Sequence, residues 1–176
     1  MARDLRVELV EMMPRLWRFG LALTRSSVEA DDLVQMACER ALSRGAQLRS
    51  DTKIGAWMYM IMRNLWIDEI RGRRTHLHDT IEAAHDVIGD DGEALAERNS
   101  NWAAVRRALA ELPMQQRVAL TLVCVDGMSY KETAEILDVP IGTVTSRVAR
   151  GRQALHERLI RLSSAQHADT DLMSGE

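Results

Sequence analysis

The residues Ser129 to Leu155, SYKETAEILDVPIGTVTSRVARGRQAL, leave few ways to fold. A capping box opens the segment: Ser129 can cap the amide of Glu132 while Glu132 reaches back. Ala134, Ile136 and Leu137 on the ensuing short helix must pack on something. The run VPIG then breaks the helix, since Pro140 disfavours helical backbone at Val139 and Gly142 permits a sharp turn before Thr143. Beyond it, at about 100° per residue, Val144, Val148, Gly151, Leu155, Leu159 and Leu162 fall on one narrow stripe. Gly151 lies on that stripe, where a missing side chain lets another helix approach closely. An interior glycine otherwise costs about 1 kcal/mol against Ala.

Thr145, Ser146, Ala149, Arg150 and Gln153 face the other way, with Arg147 and Arg152 on the flanks. Thr143 to Leu155 holds three Arg and no acid. A helix-turn-helix sets its second helix in the DNA major groove, its first residues at the base edges. An αα-hairpin with a merely solvated polar face has the same pattern, so this segment alone leaves both readings open.

The whole chain, 176 residues long, has room for one or two small domains. It is 46% hydrophobic but only 4% aromatic, which favours helices over a sheet protein with its aromatic and β-branched alternation. The expected class is all-α. No run of 18 apolar residues is present, so no membrane insertion is expected. The start, MARDLRVELVEMMPRL, carries charge where a signal peptide needs an apolar core, so a cytoplasmic location is expected. Cys38 and Cys124 are isolated among apolar residues without CxxC spacing, which predicts buried free thiols rather than a disulfide or zinc site.

A net charge of −3 is low for a DNA binder. Seven acids and one base between Thr75 and Arg98 give that segment −6, which leaves +3 for the rest. So small an excess predicts weak DNA binding by the isolated chain and a protein that meets DNA with help.

The acidic segment, centred on Gly89-Asp90-Asp91-Gly92, reads as a linker between two lobes. The N-terminal lobe, 1–74, shows helical patterns over about 4–24, 28–44 and 53–73. The C-terminal lobe, 101–163, shows a helix at about 100–111, another from 114 to 125 behind Pro113, and the helix-turn-helix. The linker is 75–100, and 164–176 reads as a flexible tail. In the third helix Ile54, Trp57, Met58, Ile61, Met62 and Leu65 share an apolar arc. Tyr59, Arg63, Trp66 and Ile70 lie opposite, and Met60, Asn64, Ile67 and Arg71 form a flank. Aromatic residues interleaved with Arg suit stacking on unpaired bases. A bundle helix buried on two sides, with Trp66 in the core, is the plainer account of this helix taken alone.

No phosphate-binding glycine loop, HExxH or nucleophile elbow occurs, and His76 and His78 are a lone HxH pair. No enzyme, cofactor or metal site is expected.

Taken together, these residues resemble the extracytoplasmic-function group of bacterial sigma factors. ADDLVQMACERAL resembles that family's second conserved region, and WMYMIMRNLWIDEIRGRR its −10-melting and −10-reading helix. LPMQQRVALTLVCVDGMSYKETAEILDVPIGTVTSRVARGRQAL resembles its −35-reading domain. The resemblance covers both lobes in order. It implies two compact helical domains that bind core RNA polymerase and promoter DNA, and an anti-sigma factor as a further partner. It places Asp31, Asp32, Leu33, Gln35 and Met36 on the clamp of the largest polymerase subunit, with Met36 where the family usually has an acid. It implies −10 contacts by Tyr59, Arg63, Asn64, Arg71, Arg73 and Arg74. It implies −35 contacts by Lys131, Thr143, Thr145, Ser146, Arg147, Ala149, Arg150 and Gln153. The segment GAQLRSDTK corresponds to the loop that captures a flipped −10 base, and it lacks an aromatic residue.

Such a protein does no covalent chemistry; it positions polymerase and holds an extruded base. Two competing readings are a helix-turn-helix regulator that acts without polymerase and a sigma-like decoy that sequesters an anti-sigma factor. The first would need tight DNA binding from near-neutral lobes. The second would not need to keep Asn64, Arg147 and Arg150.

Overall fold

The computed structural model describes residues 4–45, 51–77, 105 and 107–173, without the side chains of 74–77 and 162–173. Every regular element among them is helical. The acidic linker beyond residue 77 and most of the base-capture loop lie outside the described residues.

In the N-terminal lobe α1 (Leu5–Thr24), α2 (Ser27–Arg44) and α3 (Ile54–Leu77) pack on one another. Local chemistry sets the ends. The Asp4 carboxylate accepts from the Arg6 amide, Arg25 takes a left-handed φ of 64° to stop α1, and Ser26 caps α2 through the Glu29 amide. Leu16, Phe19, Leu33, Ala37, Met58 and Met62 form the centre of this lobe.

In the C-terminal lobe residues 107–110 are helical, and Pro113 precedes α4 (Met114–Leu120). The chain continues from α4 into a π-helical turn, Thr121–Val125, closed by the Asp126 amide on the Thr121 carbonyl. The extra residue in such a turn rotates the chain downstream of it. Cys124 is thereby exposed, with Arg152 Nη2 donating to its sulfur at 3.4 Å, and Cys38 is only half-buried. Both thiols are free as expected, but neither is buried.

The helix-turn-helix comes next as α5 (Tyr130–Leu137) and α6 (Ile141–Met173). The capping box at Ser129 and Glu132 forms, and Ile136 and Leu137 enter the core. The turn is made differently from the sequence expectation. Asp138, at φ 52°, takes the left-handed position, and Gly142 already lies inside α6. Asp tolerates that backbone region because its short side chain can bond locally. The helix also runs on to Met173, past the point where fraying was expected, because neither Gly nor Pro interrupts residues 152–173.

The two lobes touch. α1 packs on α4 and the π turn, α3 packs on α5, and the buried apolar residues from Leu9 to Val148 form one connected core.

Gly151 makes the close approach read from its stripe. A Cβ there would sit 2.8 Å from Leu120 Cδ1 and 3.1 Å from Leu120 Cγ, and Leu120 is itself buried. Gly151→Val is therefore expected to lower stability in urea melts by about 1–3 kcal/mol. Gly142 has open space around it, so Gly142→Ala is expected to stabilise by up to about 1 kcal/mol.

Candidate nucleic-acid interface

The start of α6 carries the polar face expected of a groove-reading helix. Val144 and Val148 pin its inner side against α4 and α5. Thr145, Ala149, Arg150 and Gln153 are exposed on the outside, and Thr143, Ser146 and Arg147 lie half-buried at its edges. Lys131 is exposed on α5. The Thr145 hydroxyl donates to the Ile141 carbonyl and the Gln153 amide to Glu157, while Arg147 and Arg150 form no ion pair among the described residues. Helical spacing places Thr145, Ala149 and Arg150 on one face, so a hydroxyl and a guanidinium lie together on the second and third turns.

The residues of α3 divide. Asn64 and Arg71 are exposed, with Asn64 Oδ1 accepting from Arg63 Nη1 at 3.3 Å. Arg73 is exposed and holds both Glu29 and Glu69 at 2.7 Å, with its guanidinium 5.7 Å from the Trp66 ring centroid. Its pKa is raised, first by the bonds to Glu29 and Glu69. Trp66 is buried, in line with the plainer reading of this helix, and Trp57 is half-buried against the core. The Arg74 side chain lies outside the described ones.

Tyr59 is fully buried. It stacks edge-on against Phe19, ring centroids 4.8 Å apart, and its hydroxyl donates to Asp126 Oδ2 at 2.8 Å. Arg18 Nη2 donates to the other Asp126 oxygen at 3.0 Å, and the Asp126 side chain has no exposed surface. Arg18 and Tyr59 belong to the N-terminal lobe and Asp126 to the C-terminal lobe. A second crossing is buried too: Arg117 Nε donates to the Ala22 carbonyl at 2.7 Å and its Nη1 to the Leu112 carbonyl at 2.6 Å. Two pairs lie nearer solvent, Lys53–Glu132 at 2.6 Å and Arg63–Asp138 at 3.6 Å. The bond from Lys53, and after it the bonds from Ser129, lower the Glu132 carboxyl to about 2.

Sequence reasoning passed over Arg18, Arg117 and Asp126. Asp126 reads as a helix stop beside Gly127. The available signal was Arg117, a lone base opening the apolar run Val118-Ala119-Leu120.

On α2, Asp31, Asp32, Gln35 and Met36 form an exposed strip, Met36 being 39% exposed. Asp31 accepts from Trp17 Nε1 at 2.8 Å. Leu33, 1% exposed, points into the core and supports the strip from behind. No group of His, Cys, Asp and Glu suited to holding a metal occurs among the described residues, and none of their helices is long and apolar enough to cross a membrane.

Residues 9–76 match the Sigma-70 region 2 family and residues 102–155 match Sigma-70, region 4. The chain is 33% identical over 152 residues to the ECF RNA polymerase sigma factor EcfG of Rhodopseudomonas palustris, covering 86% of this chain and 83% of that protein. It is 35% identical over 141 residues to the ECF sigma factor SigM of Mycobacterium tuberculosis, covering 80% and 69%. Among solved structures it is similar to the sigma factor RpoE in complex with the anti-sigma factor NepR, from Bartonella quintana. That match has a TM-score of 0.73 and 30% identity, over 89% of this chain and 96% of that one.

Burial, then the Asp126 charge and the bond to it, raises the Tyr59 pKa far above its usual value of about 10. A group raised on folding contributes stability that is full below its unfolded pKa and lost as pH climbs towards the folded one. In a Tyr130→Phe variant, which leaves Tyr59 as the sole tyrosine, phenolate absorbance is expected to rise only well above pH 10, together with loss of structure. Ionisation near pH 10 with the fold intact would show that Tyr59 is not held by Asp126.

Proposed function

The chain belongs to the extracytoplasmic-function sigma factors of bacterial RNA polymerase, and from that premise we propose how its residues share the work of initiation. As a sigma factor it binds core polymerase and directs transcription from specific promoters. Catalysis of nucleotide addition belongs to the polymerase; this chain selects where it starts. We place it in the cytoplasm, with polymerase and DNA, and assign its negative control to an anti-sigma factor.

The exposed face of α6 carries the −35 assignment. Thr145, Ala149 and Arg150 on its first turns lie where a recognition helix meets base edges, with Thr143, Ser146, Arg147 and Gln153 around them and Lys131 reaching phosphate from α5. Asn64 and Arg71, exposed on α3, are assigned to the −10 element together with Arg63, Tyr59, Arg73 and Arg74. Asn64 suits a base already out of the stack, and Arg71 suits phosphate. The polymerase site is assigned to the α2 strip of Asp31, Asp32, Gln35 and Met36, braced by Leu33. Met36 contributes apolar contact there rather than charge.

Transcription reconstituted with core polymerase tests these roles. Arg150→Ala is expected to cost about 1–3 kcal/mol on promoters with an intact −35 element if it reads a base, and much less on scrambled ones. Asn64→Ala is expected to reduce permanganate reactivity of unpaired thymines far more than gel-shift affinity, because its base contact exists only after melting. A pre-melted bubble template should partly rescue it. Wild-type melting by Asn64→Ala on several promoters would remove that residue from the −10 set.

A further inference from the structure

The −10 and −35 elements lie about 25 base pairs apart, which at 3.4 Å per pair is about 85 Å of duplex. In this structure the two lobes that read them share a single core. Tyr59 and Arg63, both assigned to the −10 element, are engaged by the C-terminal lobe, Tyr59 by the buried Asp126 and Arg63 by Asp138. The outer face of α6 stays exposed. The arrangement therefore leaves the −35 reader presented and the −10 reader partly covered, with the two too close together to span a promoter.

We propose that the Asp126–Arg18–Tyr59 contact is an autoinhibitory latch that holds the free chain shut, and that forming the polymerase complex must break it. The inference rests on the sigma-factor reading of the chain. The strength of the latch is concentrated in its buried part. Asp126 is sealed from water and, among the described residues, its carboxylate is satisfied by two groups of the other lobe, so opening exchanges both bonds for solvation. Arg117 on the Ala22 carbonyl is the second buried bond to be broken. Lys53–Glu132 and Arg63–Asp138 contribute orientation and little energy, being more exposed. The apparent affinity for polymerase is then the intrinsic affinity multiplied by the open fraction.

Two arms test this on the full chain. Asp126→Asn and Arg18→Gln weaken the latch from opposite lobes. Each is expected to enlarge the radius of gyration in solution scattering, with helical ellipticity retained, and to lower the apparent Kd for core polymerase roughly tenfold or more. Wild-type dimensions and wild-type Kd in both variants would overturn the proposal.

The second arm ties the lobes together. Lys53→Cys and Glu135→Cys, with Cys38 and Cys124 replaced by Ala, are bridged by a reducible bismaleimide; both positions are exposed, on facing sides of the contact. The bridged chain is expected to lose promoter-specific transcription and to regain it on reduction. Full activity while bridged would show that the closed arrangement is no barrier, and would end the latch. If the unbridged wild-type chain directs no transcription with any core polymerase, the sigma-factor reading fails instead, and scattering on Asp126→Asn and Arg18→Gln still decides whether Asp126 holds the lobes together.

Discussion

A carboxylate sealed from solvent is costly unless its charge and both oxygens are answered, and both Asp126 oxygens are answered from the other half of the chain. Arg18 supplies the charge and one bond, and Tyr59 supplies the other. The residues lie 108 and 67 positions away, so the contact forms only when both lobes are folded and docked. Removing one partner of such a buried pair costs about 3–5 kcal/mol. The lower end applies here, because the Arg18 side chain is 39% exposed and keeps part of its hydration. Even so, this one contact outweighs the pairs at the rim and fixes which faces of α1, α3 and the π turn meet.

The π turn prepares that contact. The Thr121 hydroxyl donates to the Arg117 carbonyl, and the Asp126 amide closes on Thr121 across five residues. The added residue turns Asp126 inward and Cys124 outward. The same stretch places Arg117 against the C-terminal end of α1, where the Ala22 carbonyl accepts from its Nε. A cation among the last carbonyls of a helix is also favoured by the helix dipole. Among the described residues, none of the hydrogen bonds and ion pairs between lobes named above comes from the recognition helix. Its own lobe holds it through Val144, Val148 and the close passage of Gly151 over Leu120.

The legible part of the sequence was local. The capping box at Ser129, the inner stripe of α6 from Val144 to Gly151 and the tight approach at Gly151 come from residue chemistry over one or two turns, and the structure has all three. Further along the stripe Leu155 and Leu159 are half-buried, and the Leu162 side chain lies outside the described ones. The exposed face of α6 was equally readable, because from Thr145 to Gln153 its outer positions hold no apolar residue larger than Ala. The turn was misplaced by one feature: Pro140 and Gly142 are conspicuous, yet Asp138 carries the left-handed backbone. The docking of the lobes was not readable at all. Tyr59 looks like a stacking aromatic and Asp126 like a helix stop, and each acquires its role only from a residue far along the chain. Leu33, read as part of a docking strip, faces inward because helical spacing gives that strip to Asp32, Gln35 and Met36.

Closure in the free chain and separation in the working complex can be followed by energy transfer between the lobes. A donor at Glu11→Cys on α1 and an acceptor at Glu157→Cys on α6, both exposed positions, in a chain with Cys38 and Cys124 replaced by Ala, report the distance directly. A latched free chain predicts high transfer that is lost as core polymerase is added, with the same midpoint as complex formation. Low transfer in the free chain, or high transfer that persists in the polymerase complex at a promoter, would contradict it.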